Sequence, residues 1–280
     1  MKKYLISAAV AVSAICGGNA NVRAQEVNDP SEDWQSDKLI VYYSQTGATK
    51  EVAAILSEFL YADVQGLYPE EPYPDDYDAT VKRWLQEKEE GKRVEINNPL
   101  AVDLEDYDII FLGFPVWGGS YPPPIATFLE DYSLKGKKIV TFVTFGSGGL
   151  ETATADVAKA QPDADVKAGY GVRNIRLDKA RDEIRRFLIE EGYMDGEITP
   201  LPSFGAKHKV TADEKAIFEA ACAGYKFPLG TPVEAAVRNY DGTTEYRFDV
   251  ATQTPTGAGS AVVYVLAEPN EPPVFTKVVR

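Results

Sequence analysis

The chain has 280 residues and a formal net charge of −14, with a single histidine and two cysteines. Such a charge repels nucleic acid and anionic membrane surfaces and favours basic protein partners or simple solubility. A lone His208 argues against Ser-His hydrolase chemistry and against a multi-histidine metal site, and the length predicts two unequal domains.

Residues 1–24 have the pattern of a secretory signal peptide: Met1-Lys2-Lys3 is a basic start, Tyr4 to Cys16 is apolar and Ala-rich, and small residues follow. Val22-Arg23-Ala24 and Gly18-Asn19-Ala20 both offer cleavage sites. Ile15 fits lipoprotein processing poorly, so simple cleavage is preferred to a lipid anchor on Cys16. Loss of Lys2, Lys3 and Arg23 would make the net charge more negative by three. The mature protein is expected to be exported, and periplasmic in a Gram-negative source. Cys222 would then be the only cysteine, without an intramolecular disulfide and placed as a core filler on a helix. No other segment is long and apolar enough to cross a membrane. Residues 25–37 read as a linker.

From Lys38 onward, strands and helices alternate. Leu39 to Tyr43 is a buried strand, and Val52, Ile55, Leu56 and Phe59 fall at helical spacing after it. A weaker strand at Ala62 to Leu67 leads into the proline-rich loop Tyr68 to Pro74, and Tyr77 to Gly91 reads as a charged, solvated helix. Asp108 to Gly113 and Lys138 to Val143 are strands whose continuous apolar character predicts burial on both faces. Helices follow them, one entered through Pro122-Pro123-Pro124 and one at Leu150 to Ala160. A poor fifth strand near Val166 to Tyr170 precedes an amphipathic helix at Asp178 to Glu190. This alternation predicts an α/β domain over residues 38–192, a doubly wound five-stranded parallel sheet whose ligand lies beyond the carboxyl ends of the strands.

Three loops at those carboxyl ends have unusual composition. Ser44-Gln45-Thr46-Gly47-Ala48-Thr49 sets hydroxyls on both sides of a glycine at a strand-to-helix turn. It suits one terminal phosphomonoester, held by N–H groups, hydroxyls and the positive helix end, or it is simply a capping turn. It has no Gly-Lys-Ser/Thr triplet and no G-x-G-x-x-G. Pro115, Val116, Trp117 and Gly118 follow the third strand, with a tryptophan that either covers a ligand or seals the sheet end. Thr144, Phe145, Gly146, Ser147, Gly148 and Gly149 follow the fourth, where repeated glycines allow close backbone approach or only flexibility. No Gly-x-Ser-x-Gly elbow is present, so Ser147 is not expected to be a nucleophile, and no catalytic or metal-binding side chain is assigned.

In order and spacing, Ser44-x-Thr46-Gly47-x-Thr49, Gly-Phe-Pro-Val-Trp-Gly at 113–118 and Thr-Phe-Gly-Ser-Gly-Gly at 144–149 resemble the flavodoxin-like proteins, over roughly residues 38–192. The resemblance implies strand order 2-1-3-4-5 and FMN at the sheet edge. It assigns the phosphate to Ser44, Thr46, Gly47 and Thr49 with the backbone of Gln45 and Ala48. Pro115, Val116, Trp117 and Gly118 would form one wall of the isoalloxazine site, Trp117 stacking on the ring, and Thr144 to Gly149 would line its other edge.

Residues 193–210 read as a linker. Thr211-x-x-Glu214 is a capping box that opens a helix through Ala223, followed by four strands at Pro232 to Arg238, Glu245 to Thr252, Ser260 to Leu266 and Pro273 to Val279. This α+β arrangement, a helix and an antiparallel meander over 211–280, resembles the cystatin-like fold. Protease-inhibiting cystatins carry Gln-x-Val-x-Gly at the hairpin; here Arg238-Asn239-Tyr240-Asp241-Gly242 keeps only the glycine. An adaptor or a homodimerisation module is therefore expected, its exposed edge available to a second chain. All three loops precede Leu150, so this segment is expected to be dispensable for flavin binding.

These readings converge on an exported FMN-binding protein, acting in electron transfer or as a flavin-dependent reductase with a redox protein or small molecule as donor or acceptor. An acidic surround disfavours an anionic reduced flavin and lowers its potential. The alternative is a non-catalytic binding module that retains the scaffold and recognises a partner through its cystatin-like domain.

Overall fold

The computed structural model describes residues 36–279 apart from 98, 224, 226–228, 255 and 256, and from Ser36 onward the chain forms one compact unit. The expected signal peptide and most of the expected N-terminal linker lie outside the described residues.

The first sheet contains β1 (Lys38–Tyr42), β2 (Asp63–Gly66), β3 (Ile109–Pro115), β4 (Lys138–Phe145) and β5 (Asp165–Arg173). All are parallel, in the order β2-β1-β3-β4-β5. Both faces of its central strands are covered, which is why their apolar residues run continuously rather than alternating. One face, with Leu39, Val41, Leu112, Phe114 and Val143, packs against α3 (Pro123–Asp131) and α4 (Leu150–Ala160). The other, with Ile40, Phe111, Val140 and Phe142, packs against α1 (Ala48–Leu60) and α5 (Ala180–Glu190). Gly113 is required by this packing: a Cβ there would lie 2.0 Å from Cζ of Phe142. The fifth strand runs from Asp165 to Arg173, three residues beyond the apolar signal at Tyr170, because the backbone continues to pair with β4 as far as Phe145.

α2 (Tyr77–Glu90) is not the wholly solvated helix its charge suggests. Asp76 caps it by accepting from Ala79 N–H at 2.8 Å, and its inward side holds the loop that precedes it. Tyr73 donates to Glu87 at 2.5 Å, and Arg83 donates to the same carboxylate at 2.7 Å and to the carbonyls of Glu71 and Pro72. Glu87 is only 4% exposed, so removing either partner would strand a buried carboxylate.

The second sheet is antiparallel and has five strands rather than four. The four expected strands are present as β7 (Thr231–Tyr240), β8 (Thr243–Thr254), β9 (Gly257–Ala267) and β10 (Val274–Val279), the first three longer than the expected Pro232 to Arg238, Glu245 to Thr252 and Ser260 to Leu266 and the last starting one residue after the expected Pro273, while β6 (His208–Lys209) falls within the expected linker. Two residues carry no readable period, yet they pair with Ala235 and Glu234 of β7. α6 (Ala212–Cys222) packs on this sheet through Phe218, which meets Phe248 edge-on at 5.2 Å. Its capping box is present in both directions between Thr211 and Glu214. Cys222 packs against the same core, and burial pushes its thiol up to about 11, as suits a core filler.

Candidate functional site

All sixteen candidate residues lie on the three loops at the carboxyl edge of β1, β3 and β4. The sheet register places them side by side, with Tyr42 level with Gly113 and Gly113 level with Phe142. Two further ties join the loops. The hydroxyls of Thr49 and Thr144 are buried and 2.9 Å apart, and Val116 N–H donates to the Thr144 carbonyl at 2.9 Å.

The first loop has the features of an anion cradle. Gly47 adopts φ +93° at the N-terminus of α1, and no side chain caps that end of the helix. Its first-turn N–H groups are therefore directed outward without a side-chain acceptor. On the same loop, the Ser44 hydroxyl is buried and has no hydrogen-bond partner among the described residues. A buried hydroxyl without a partner costs free energy, and here it belongs to the loop that leads into the uncapped helix end. Thr46 and Gly47 are exposed, and nothing lies within 4 Å of a Cβ placed on Gly47, so the approach is open.

Two of the loop's side chains are engaged within the protein. Thr49 is paired with Thr144, which turns its hydroxyl toward the third loop. Gln45 accepts from the Tyr43 hydroxyl at 2.5 Å and donates to the carbonyls of Pro74 at 2.8 Å and Tyr73 at 3.3 Å. It clasps the first loop to the proline-rich loop, leaving its backbone for the cradle.

The second loop is a two-residue hairpin turn. Trp117 and Ser120 exchange hydrogen bonds at 2.9 and 3.1 Å across Gly118 and Gly119, whose φ values of +57° and +88° suit the primed turn such a hairpin needs. Trp117 is half-buried and meets three rings edge-on: Tyr73 at 4.9 Å, Tyr43 at 6.0 Å and Trp84 at 6.2 Å. A Cβ on Gly118 would lie 2.4 Å from Cη2 of Trp84. The indole is thus positioned by residues of three separate elements. Tyr43, Tyr73 and Trp84 carry no motif that marks them for this role; only the position of Tyr43, directly before Ser44, signals it. Burial pushes the hydroxyl pKa of Tyr43 and of Tyr73 well above the usual tyrosine value, so both rings stay neutral. A groove of about 460 Å³ runs between α2 and this turn, lined by Trp84, Trp117, Ser120 and Tyr121 among others.

The third loop rises from β4 with Thr144 and Phe145 buried and Gly146 exposed. Gly149, at φ +117°, starts α4, and a Cβ there would lie 2.8 Å from Cγ1 of Val116, so the second and third loops touch. The C-terminal segment, expected to be dispensable for flavin binding, touches this loop. Val278 N–H of β10 donates to the Ser147 carbonyl at 2.7 Å, and the Gly148 backbone lies directly against Val278.

A family model described as flavodoxin matches residues 37–189. Among solved structures, a candidate flavoprotein from Bacteroides eggerthii is 28% identical, covering 53% of this chain and 97% of its own, with a TM-score of 0.43. A candidate flavoprotein from Bacteroides uniformis is 26% identical, covering 53% and 97%, with a TM-score of 0.47. A flavoprotein from Lactobacillus acidophilus, solved in complex with FMN, is 23% identical, covering 54% and 97%, with a TM-score of 0.41. No curated protein matches the chain. With more than half of its length matched by the family model, on a sheet of order 2-1-3-4-5 whose three edge loops converge, the chain belongs to the flavodoxin family.

Proposed function

We propose that this protein is an exported flavodoxin-type redox protein, acting in electron transfer or as a flavin-dependent reductase. FMN is its cofactor and supplies one- and two-electron chemistry when bound. The residues fit that group by their donor set. Ser44 and Thr46 offer hydroxyls and the first turn of α1 offers N–H groups, without a lysine clamp, which suits one phosphomonoester. Pro115 to Gly118 and Thr144 to Gly149 flank the ring site with backbone, aromatic and small side chains.

The chain's own part is to bind, orient and exclude water. The loops present hydroxyls, an amide and aromatic rings rather than a paired acid and base, so proton handling is not built into their side chains. The net charge of −14 favours a partner with a basic docking surface, or a small-molecule donor or acceptor. Export rests on the pattern of residues 1–24.

The observation that carries the reading is the buried Ser44 hydroxyl, unpartnered among the described residues, on the loop that leads into the uncapped N-terminus of α1. Titration of cofactor-free protein with FMN and with riboflavin tests it. FMN should bind at least tenfold more tightly, through the contribution of its phosphate. Equal affinity for the two, or binding of neither, overturns the assignment.

A further inference from the structure

We propose that the C-terminal sheet sets the conformation of the third loop, with Arg173 as the positioning residue that joins the two. This rests on the FMN reading of the loops and adds to it a part of the chain outside the residues that the family model matches.

Three observations carry it. First, Arg173 ends β5 and its guanidinium bridges two backbones. Nε donates to the Gly146 carbonyl at 2.8 Å, and Nη1 donates to the Phe275 carbonyl of β10. Its charge lies 4.3 Å above the Phe275 ring and 5.8 Å above that of Tyr225. Among the described residues these partners are carbonyls and rings rather than a carboxylate, and burial pushes the guanidinium's pKa down. A half-buried cation held by neutral groups keeps its fold only if those groups stay in place, so both segments are held to it.

Second, β10 reaches the same loop by its own backbone. Its Val278 N–H donates to Ser147 rather than to β9, so the strand has one edge in the C-terminal sheet and one hydrogen bond to the ring-binding loop. Third, Gly148 leaves no room between them: a Cβ would lie 2.2 Å from the Val278 carbonyl oxygen. Three consecutive residues of the loop are thus fixed, Ser147 and Gly148 directly by Val278 of β10 and Gly146 by Arg173, which is itself tied to Phe275 of β10. The loop's other side, at Thr144 and Gly149, is fixed by Thr49 and Val116. A glycine-rich loop has many conformations in isolation, and these ties select one before any ligand arrives.

Two substitutions test this in the full chain. Arg173→Ala removes the bridge, and Gly148→Ala drives β10 off the loop by steric contact. The first measurement is amide hydrogen exchange of cofactor-free protein. Both variants should speed exchange within 146–149 and at Val278 while leaving β1, β3 and the core of β8 and β9 as protected as in the parent. The second is affinity. Each variant should weaken FMN and riboflavin by the same factor, about tenfold for loss of a preorganised loop, because the loop faces the ring and not the phosphate. Arg173→Lys should restore part of both readouts. Unchanged exchange at 146–149 in both variants overturns the proposal, whether or not flavin binds. Altered exchange with unchanged affinity in a parent that does bind FMN overturns the claim that the loop's conformation matters to the site. A parent that binds neither flavin refutes the cofactor reading, and the exchange measurement then still decides the coupling.

Discussion

Ser44→Ala should act with opposite sign on the empty protein and on cofactor binding. In the folded chain the Ser44 hydroxyl is buried and has no partner among the described residues. Leaving such a group unpaired costs about 1–3 kcal/mol, and alanine removes the group with little change in volume. Cofactor-free Ser44→Ala should therefore be more stable than the parent by that order, a rise in Tm of about 2–4 °C per kcal/mol for a chain of this size. The same change deletes a hydrogen bond to a charged phosphate, worth about 1.5–3 kcal/mol, so FMN should bind about ten- to a hundredfold more weakly. Riboflavin, which lacks the phosphate, should bind equally to both. Differential scanning fluorimetry with and without FMN reads both effects, and the stabilisation conferred by the ligand should shrink in the variant. A lowered Tm of the empty protein with unchanged FMN affinity would show that Ser44 is an ordinary structural serine and refute the argument.

Thr46→Ala, at an exposed hydroxyl, should weaken FMN by about 1.5–3 kcal/mol without changing riboflavin affinity or the Tm of empty protein, as read by the same titrations. Gly47→Val should cost both fold stability and FMN affinity: open space surrounds the position, but φ of +93° is strained for a β-branched residue by about 1–2 kcal/mol, measurable by urea unfolding. Trp117→Ala should lose most of the quenching of tryptophan fluorescence by FMN. It should also destabilise the fold by about 2–3 kcal/mol, since the half-buried indole supports Tyr43, Tyr73 and Trp84. The Glu214 carboxylate 2.8 Å from His208 holds the imidazole's pKa above its ordinary 6.5, so this pair stabilises the fold below that pH and its contribution is lost as pH rises through the raised value. His208→Ala should flatten that part of a Tm-against-pH curve and leave FMN binding unchanged.

The strands and loops of the first sheet were legible because burial on both faces leaves uninterrupted apolar runs such as Leu39 to Tyr43, and because each run ends at a glycine with a structural task. Gly47, Gly118 and Gly149 all take positive φ, which marks the turns in the sequence itself. Other parts could not be read locally. β6 has only His208 and Lys209, and its pairing is decided by β7, about two dozen residues further on. The aromatic cluster around Trp117 draws on Tyr43, Tyr73 and Trp84, whose meeting depends on the Glu87–Arg83–Tyr73 network holding a proline-rich loop against α2. Gln45 sits inside the motif, yet its side chain serves the scaffold by clasping that same loop. The tie between Val278 and Ser147 is made by backbone atoms of residues more than a hundred positions apart, which no side-chain pattern encodes.

The central claim is that these three loops hold FMN, and the most direct measurement is the visible absorption of the full chain purified from its native compartment, with the released cofactor identified by chromatography and mass. The account predicts a yellow protein with about one flavin per chain, released as FMN rather than riboflavin or FAD. Colourless protein that also takes up no FMN on reconstitution, or protein that releases a different cofactor, would contradict it.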